Sequence, residues 1–157
     1  MSVLTAIQPP RTPAEWAAYY QLRYAVLRQP WQQPPGSERA SADEEPNTVH
    51  ALLLAGGHED AAPVALAVGM LQCVDARQGQ IRFMAVDPAA TGKGLGRRIV
   101  AYLEKEAREL ELTEIVLHAR EAAVGFYTTL GYELVGPSHT LFGVLPHFLM
   151  RKQLAAA

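Results

Sequence analysis

The chain predicts an α+β fold on a mixed, mostly antiparallel sheet, and three features lead to that class. Runs rich in Val, Leu and Ala occupy residues 48–55, 63–74 and 80–86 in succession, parted by glycine and charged residues, which is the pattern of consecutive antiparallel strands. Residues 94–110 then place Leu95, Ile99, Leu103, Ala107 and Leu110 on one stripe, as a helix lying on a sheet does. The apolar run 114–119 must return beside 80–86 through that helix, and such a crossover makes the pair parallel and right-handed.

The other elements follow in chain order. Residues 2–8 alternate as a first strand, and Thr12, Pro13 and Glu15 supply an N-cap, a proline at the first helical position and a capping-box glutamate for a helix running to about Arg28. Residues 29–47 carry Pro30, Pro34, Pro35, Gly36 and Pro46 with the acidic run Asp43, Glu44 and Glu45. Loops of that length often serve as lids, and a short helix could lie within this one. Gly56 to Asp60 is the turn of a hairpin, and Pro88 ends the strand before it, having no N–H to give the ladder. A short helix over 121–130 stops at Gly131, and strands over 132–135 and 141–152 complete the sheet ahead of a frayed Ala155–Ala157 tail.

At 157 residues the chain has the size of one domain, 1–157, with 49% hydrophobic and 19% charged residues, a globular composition. A net charge of -2 gives no global basic field for nucleic acid. The most apolar stretch, 61–71, is interrupted by Pro63 and is much shorter than the ~20 residues of a membrane helix. No secretory signal opens the sequence, and Cys73 is its only cysteine, so a reducing, cytoplasmic setting is expected. No metal-ligand spacing such as H-E-x-x-H or C-x-x-C occurs, and no metal is expected.

The chemistry concentrates at residues 86–98. Gly92, Gly94 and Gly96 let the backbone turn tightly against an anion, Lys93, Arg97 and Arg98 supply countercharge, and the helix beginning there presents unpaired N–H groups. A Walker loop is excluded because Gly94, not Ser or Thr, follows Lys93. A G-x-G-x-x-G fingerprint is excluded because Arg97 or Ile99 falls at the third glycine. The remaining pattern, V-x-P-x-x-x-G-x-G-x-G from Val86 to Gly96, resembles the coenzyme A loop of the Gcn5-related N-acetyltransferases (GNAT), written Q/R-x-x-G-x-G/A. Residues 119–132, with Ala123, Phe126, Tyr127, Gly131 and Tyr132, resemble that family's A-x-N-x-x-A-x-x-F/L-Y-x-x-x-G-F/Y. Thr91 replaces the usual Gln or Arg of the first block, and Arg120 the usual Asn of the second.

The resemblance implies a three-layer GNAT-like fold whose sheet splays between the fourth and fifth strands, 80–86 and 114–119. It implies acetyl-CoA as co-substrate, an amine acceptor of unidentified kind, and a homodimer. The cofactor-binding set it implies is Thr91, Gly92, Lys93, Gly94, Leu95, Gly96, Arg97 and Arg98 on the loop, the backbone of Met84, Ala85 and Val86, and Arg120 and Phe126. Acyl transfer to an amine requires an uncharged nucleophile, oxyanion stabilisation and a proton for the departing thiolate. The resemblance places the Tyr127 hydroxyl beside the sulfur, and a phenol of pKa ~10 can protonate a thiolate whose conjugate acid lies near ~8.5. The strand 80–86 holds no carboxylate, so the base is open among His118, His147, His50 and a water chain. Cys73 offers a covalent route. The expected activity is direct N-acyl transfer in a ternary complex, with a non-catalytic acyl-CoA binding module as the alternative. The acidic residues Glu38, Asp43, Glu44 and Glu45 would suit a cationic amine.

Overall fold

A computed structural model describes residues 6–56 and 62–155. Helix α1 (Pro13–Leu27) begins where the Thr12 side chain accepts from the Glu15 N–H. Strands β1 (Val49–Leu54), β2 (Ala65–Cys73) and β3 (Gln78–Val86) follow as an antiparallel meander. Helix α2 (Leu95–Glu109) crosses over to β4 (Glu114–Arg120), which lies parallel to β3; helix α3 (Val124–Thr129) leads to the hairpin of β5 (Glu133–Leu141) and β6 (Leu145–Gln153). The six strands form one sheet in the order β1-β2-β3-β4-β6-β5.

The strand pleat sends alternate side chains to two cores. Ala51, Leu53, Ala67, Leu71, Ile81, Ile115 and Leu117 face Ile99 and Leu103 of α2 and Tyr127 of α3, while Leu52, Val68 and Ala85 face Tyr19 and Leu22 of α1. Helices therefore cover both faces, giving three layers. Ile99 and Leu103 are fully buried, and each contributes roughly 1.5–3 kcal/mol by leaving water.

Two departures from expectation shape the site. The last hairpin reverses at Phe142 and Gly143, both at positive φ, rather than over 136–140. Gly136 and Pro137 stay inside β5, because an edge strand tolerates a proline whose missing N–H would face outward. The segment 29–47 is also not a loose lid. It holds two 3₁₀ turns, Gln29–Trp31 and Ser41–Glu44, and buries Glu38 and Asp43. Most of the strand expected over 2–8, the Gly57–Asp60 turn and the end of the tail lie outside the described residues; Gln8 pairs with Leu52.

β3 and β4 pair only from Gln78↔Glu114 to Ile81↔Leu117, although both strands continue. The cause is local. Phe83 has φ 56, and the register between β2 and β3 shifts so that Phe83 and Met84 stand opposite Gly69, a bulge that bends the strand away. Gly69 makes the bend possible, since a Cβ there would lie 2.6 Å from Ile99 Cγ2 and 2.7 Å from Met84 Sδ. The splay opens the sheet at the C-terminal ends of its two parallel strands.

Candidate active site

The glycine loop lies just beyond β3. The Asp87 carboxylate accepts from the Ala89 N–H at 3.0 Å and starts a 3₁₀ turn, Pro88–Ala90, whose Pro88 carbonyl accepts from the Thr91 hydroxyl at 3.1 Å. Gly92 and Gly94 then take left-handed φ values of 79 and 74, which glycine adopts without the Cβ penalty. No side chain caps α2 at Gly94, so its first N–H groups keep their hydrogen-bonding capacity. Lys93, Arg97 and Arg98 are exposed and form no ion pair among the described residues. Leu95 is buried beneath them. At Gly96 an added Cβ would meet Phe126 Cζ at 3.3 Å and Val86 Cγ2 at 3.6 Å, so the loop, α3 and the end of β3 converge on that residue. The side chains of Met84 and Val86 pack toward α2 and that of Ala85 toward α1. Their backbone is what the splay leaves without a partner from β4.

On the other side of the splay a cleft of about 410 Å³ reaches from Tyr127 to the β5–β6 hairpin. Tyr127 is 7% exposed, meets the rings of Phe126 at 4.9 Å and Tyr132 at 5.8 Å, and its hydroxyl has no hydrogen-bond partner among the described residues. Burial pushes its pKa far above the ordinary phenol value, with Arg120 pulling the other way. The hydroxyl is therefore protonated at neutral pH.

Three histidines line the same cleft. The His118 and His139 rings lie 5.2 Å apart, and His139 stacks on His147 at 4.6 Å. His147 Nδ1 is 2.9 Å from the Leu145 carbonyl oxygen, an atom that can only accept, so Nδ1 carries the proton and Nε2 holds the free lone pair. Burial lowers the His147 pKa, as do His139 and Arg120, against the raising effect of the Leu145 bond. Burial likewise lowers that of His118, with His139, His147 and Arg82 adding to it, and His118 Nδ1 is buried without a partner. Both rings are neutral at pH 7.

His118, His147 and Tyr127 thus share one cleft, while His50 does not belong to it. His50 donates from Nε2 to the Asp43 carbonyl at 2.9 Å and accepts at Nδ1 from the Tyr19 hydroxyl at 2.8 Å, beneath α1. Arg120 sits at the end of β4, its guanidinium 5.5 Å over the Trp31 ring, on the cleft side rather than at the glycine loop. Cys73 does not line the cleft, and burial, then Glu45, raises its thiol pKa. None of Glu38, Asp43, Glu44 and Glu45 lines it either. Sequence reasoning missed His139, Arg28, Arg82 and Trp31. A continuous hairpin about Phe142 and Gly143 would have revealed His139, because its register (Pro137↔Phe148, Thr140↔Pro146) sets that residue across from His147.

The model of the acetyltransferase (GNAT) family matches residues 16–132. The chain belongs to this family. A Bacillus subtilis relative, the uncharacterized protein YyaT, is 40% identical over 62 residues, which are 40% of this chain and 41% of that protein. Glucosamine 6-phosphate N-acetyltransferase 1 of Oryza sativa is 32% identical over 90 residues, 53% of each chain. The matches thus span only about two fifths to a half of these curated relatives. The crystal structure of an aminoglycoside 6'-N-acetyltransferase complexed with coenzyme A superposes with a TM-score of 0.77, covering 98% of this chain and 99% of that one at 17% identity. This GNAT chain therefore shares its fold with enzymes of distant sequence. No helix among its described residues is long and apolar enough to cross a membrane.

Proposed function

We propose that this GNAT chain acts as one domain, 1–157, transferring an acetyl group from acetyl-CoA to a primary amine by direct attack in a ternary complex. The observation that carries the reading is the splay, which puts a glycine loop with open N–H groups at one end of β3 and a tyrosine–histidine cleft beside it. The loop suits the pyrophosphate: a Cβ at Gly92 or Gly94 would meet nothing within 4 Å, so the backbone there is open to a ligand. The unpartnered edge of Met84, Ala85 and Val86 would hold the pantetheine arm as an added strand would be held. Acetyl-CoA, once bound, supplies the thioester carbon that the amine attacks.

The remaining work falls to the chain's own groups. His147 Nε2 takes a proton from the attacking nitrogen, with His118 as a second neutral base nearby. Tyr127 gives its proton to the departing sulfur. One N–C bond forms and one C–S bond breaks; the amine's proton goes to His147 and that of Tyr127 to the thiol, and the imidazolium's proton then returns to the phenolate through the cleft. A covalent route through Cys73 is disfavoured by the same features that keep its thiol protonated and out of the cleft.

Calorimetry with CoA and thiol release with acetyl-CoA across an amine panel test this reading. Gly94→Ala should cost about 1–2 kcal/mol of backbone strain and weaken CoA by about 10-fold or more, with thermal melts recording the strain separately. Wild-type affinity in that variant would remove the loop from the site. CoA binding without thiol release on any amine would make the chain an acyl-CoA binding module.

A further inference from the structure

The cleft is lined by three guanidinium groups, those of Arg28, Arg82 and Arg120, and by three imidazoles, but by no carboxylate. This is unexpected in a chain of net charge -2. Among the described residues none of the three arginines forms an ion pair. Their hydrogen bonds are incomplete as well. Arg28 gives Nε to the Ser37 carbonyl and Nη1 to the Leu27 carbonyl, which leaves Nη2 uncommitted. Arg82 gives Nη1 to Gln72 Oε1 and keeps Nε and Nη2. The Arg120 guanidinium has no hydrogen-bond partner among the described residues and rests over Trp31.

From this geometry we infer that the acceptor is a small primary amine that also carries an oxyanion, a carboxylate or a phosphate, held by Arg28 and Arg82 with Arg120 as a third countercharge. The inference rests on the acyl-transfer reading above. Forked N–H donors left free on partly buried guanidiniums match the paired oxygens of such a group. A cationic polyamine would instead enter against three like charges with no acidic side chain to receive it. The volume is that of a small-molecule site. Lys93, Arg97 and Arg98 of the glycine loop do not line the cleft, so its arginines form a second cationic set, separate from the one assigned to the CoA phosphates. Mutual repulsion adds support: burial first, then Arg23 and Arg82, push the Arg28 pKa down, and Glu38, which pulls the other way, makes no ion pair with it among the described residues. An anionic group relieves that repulsion, while its amine lies toward His147 and Tyr127.

The test uses matched amines with the intact chain and acetyl-CoA. The pairs are 4-aminobutyrate against butylamine and O-phosphoethanolamine against ethanolamine, with 1,4-diaminobutane as the cationic probe. The anion-bearing member of at least one pair should exceed its partner without the anion by about 10- to 100-fold in kcat/KM, the range of a charge-assisted hydrogen bond, and the diamine should be poorest. The two pairs tell carboxylate from phosphate. Arg82→Gln, and independently Arg28→Gln, should raise KM for the anionic member and narrow the gap within the pair. Preference for the diamine, or equal losses on both members of a pair, would overturn the proposal. Calorimetric binding of the same amines to the CoA-saturated chain separates the two failures. Anion-selective binding without turnover retains the anion site and removes acyl transfer, whereas turnover without anion selectivity does the reverse.

Discussion

Two clusters that share tyrosine, arginine and histidine flank the body of β3, and they differ in how completely they are satisfied. Beneath α1, Arg23 donates to Asp43 at 2.9 Å and to the Tyr19 hydroxyl at 2.9 Å, Tyr20 donates to Asp43 at 3.1 Å, and His50 joins Tyr19 to the Asp43 carbonyl. Within this cluster, among the described residues, only Arg23 Nε is a buried side-chain atom without a partner, and its guanidinium lies 4.0 Å over the Phe83 ring. Across the strand, Tyr127, three arginines and three histidines face a cleft, with no carboxylate among them and, among the described residues, no bond on the Tyr127 hydroxyl. A buried charge is tolerable when it is paired and hydrogen-bonded. The first cluster meets that condition internally and fixes 29–47 to the helix. The second, part-buried around an open cleft, leaves donors that water or a ligand can take, so shared residue types give a closed cluster in one place and an open one in the other.

The comparison is tested hardest at Tyr127. Tyr127→Phe keeps the ring against Phe126 and Tyr132 but removes the only proton the cleft offers from a phenol. kcat should fall by about 10²- to 10⁴-fold with KM for acetyl-CoA little changed, and the urea midpoint should move little. Loss of CoA affinity together with rate would make Tyr127 a cofactor contact. A full-rate variant would assign the proton to water or to a histidine.

The next effect is on stability and belongs to the other cluster. Burial alone would raise the Asp43 pKa, but bonds from the Ala40 N–H, Arg23 and Tyr20 outweigh it and hold the carboxyl below its usual value. Asp43→Ala leaves the Arg23 charge buried and unpaired, which costs about 3–5 kcal/mol, readable as a lowered urea midpoint. A loss under 1 kcal/mol would mean that water replaces the carboxylate and that the cluster is less closed than its geometry indicates.

What was legible in the sequence follows from the range of the interactions. The meander, the crossover and the Gly94 turn depend on periodicity and on residues close in sequence, so strand patterning and the glycine spacing revealed them. The splay depends on Phe83 at positive φ opposite Gly69, a pairing across two strands that no local pattern announces; only the family resemblance implied it. Asp43 read as part of an acidic run suited to a cationic amine because its partner, Arg23, is twenty positions away. Pro137 was misleading for a similar reason: its place on an edge strand, which makes it harmless, is a property of the sheet order. Without that hairpin His139 could not be set beside His147, and the arginine set of the cleft comes from α1, β3 and β4, which meet only in the fold.

The smallest effect is a shared dependence on pH, and it sharpens the comparison because both clusters contribute. Burial lowers the His50 pKa, against its bond to the Asp43 carbonyl and the Asp43 charge, with Arg23 lowering it further. His118 and His147 are lowered in the same direction. A histidine whose folded pKa lies below its unfolded value of ~6.5 binds fewer protons when folded, so stability is complete above that value and is lost as pH falls through the folded one. The urea midpoint should therefore decline between pH 7 and pH 5, before the carboxylates titrate. His50→Gln removes one contributor, and His118→Gln with His147→Gln removes the other two. The first change should flatten the decline more per residue, because His50 is 7% exposed beside the buried Arg23 charge, and a proton arriving at Nδ1 must turn the Tyr19 hydroxyl away toward the Gly69 carbonyl. At the cleft, protonated histidines would still find room and solvent. An unchanged slope in His50→Gln would show that the closed cluster accommodates the imidazolium, and the distinction between a satisfied core and an open site would then rest on the arginines alone.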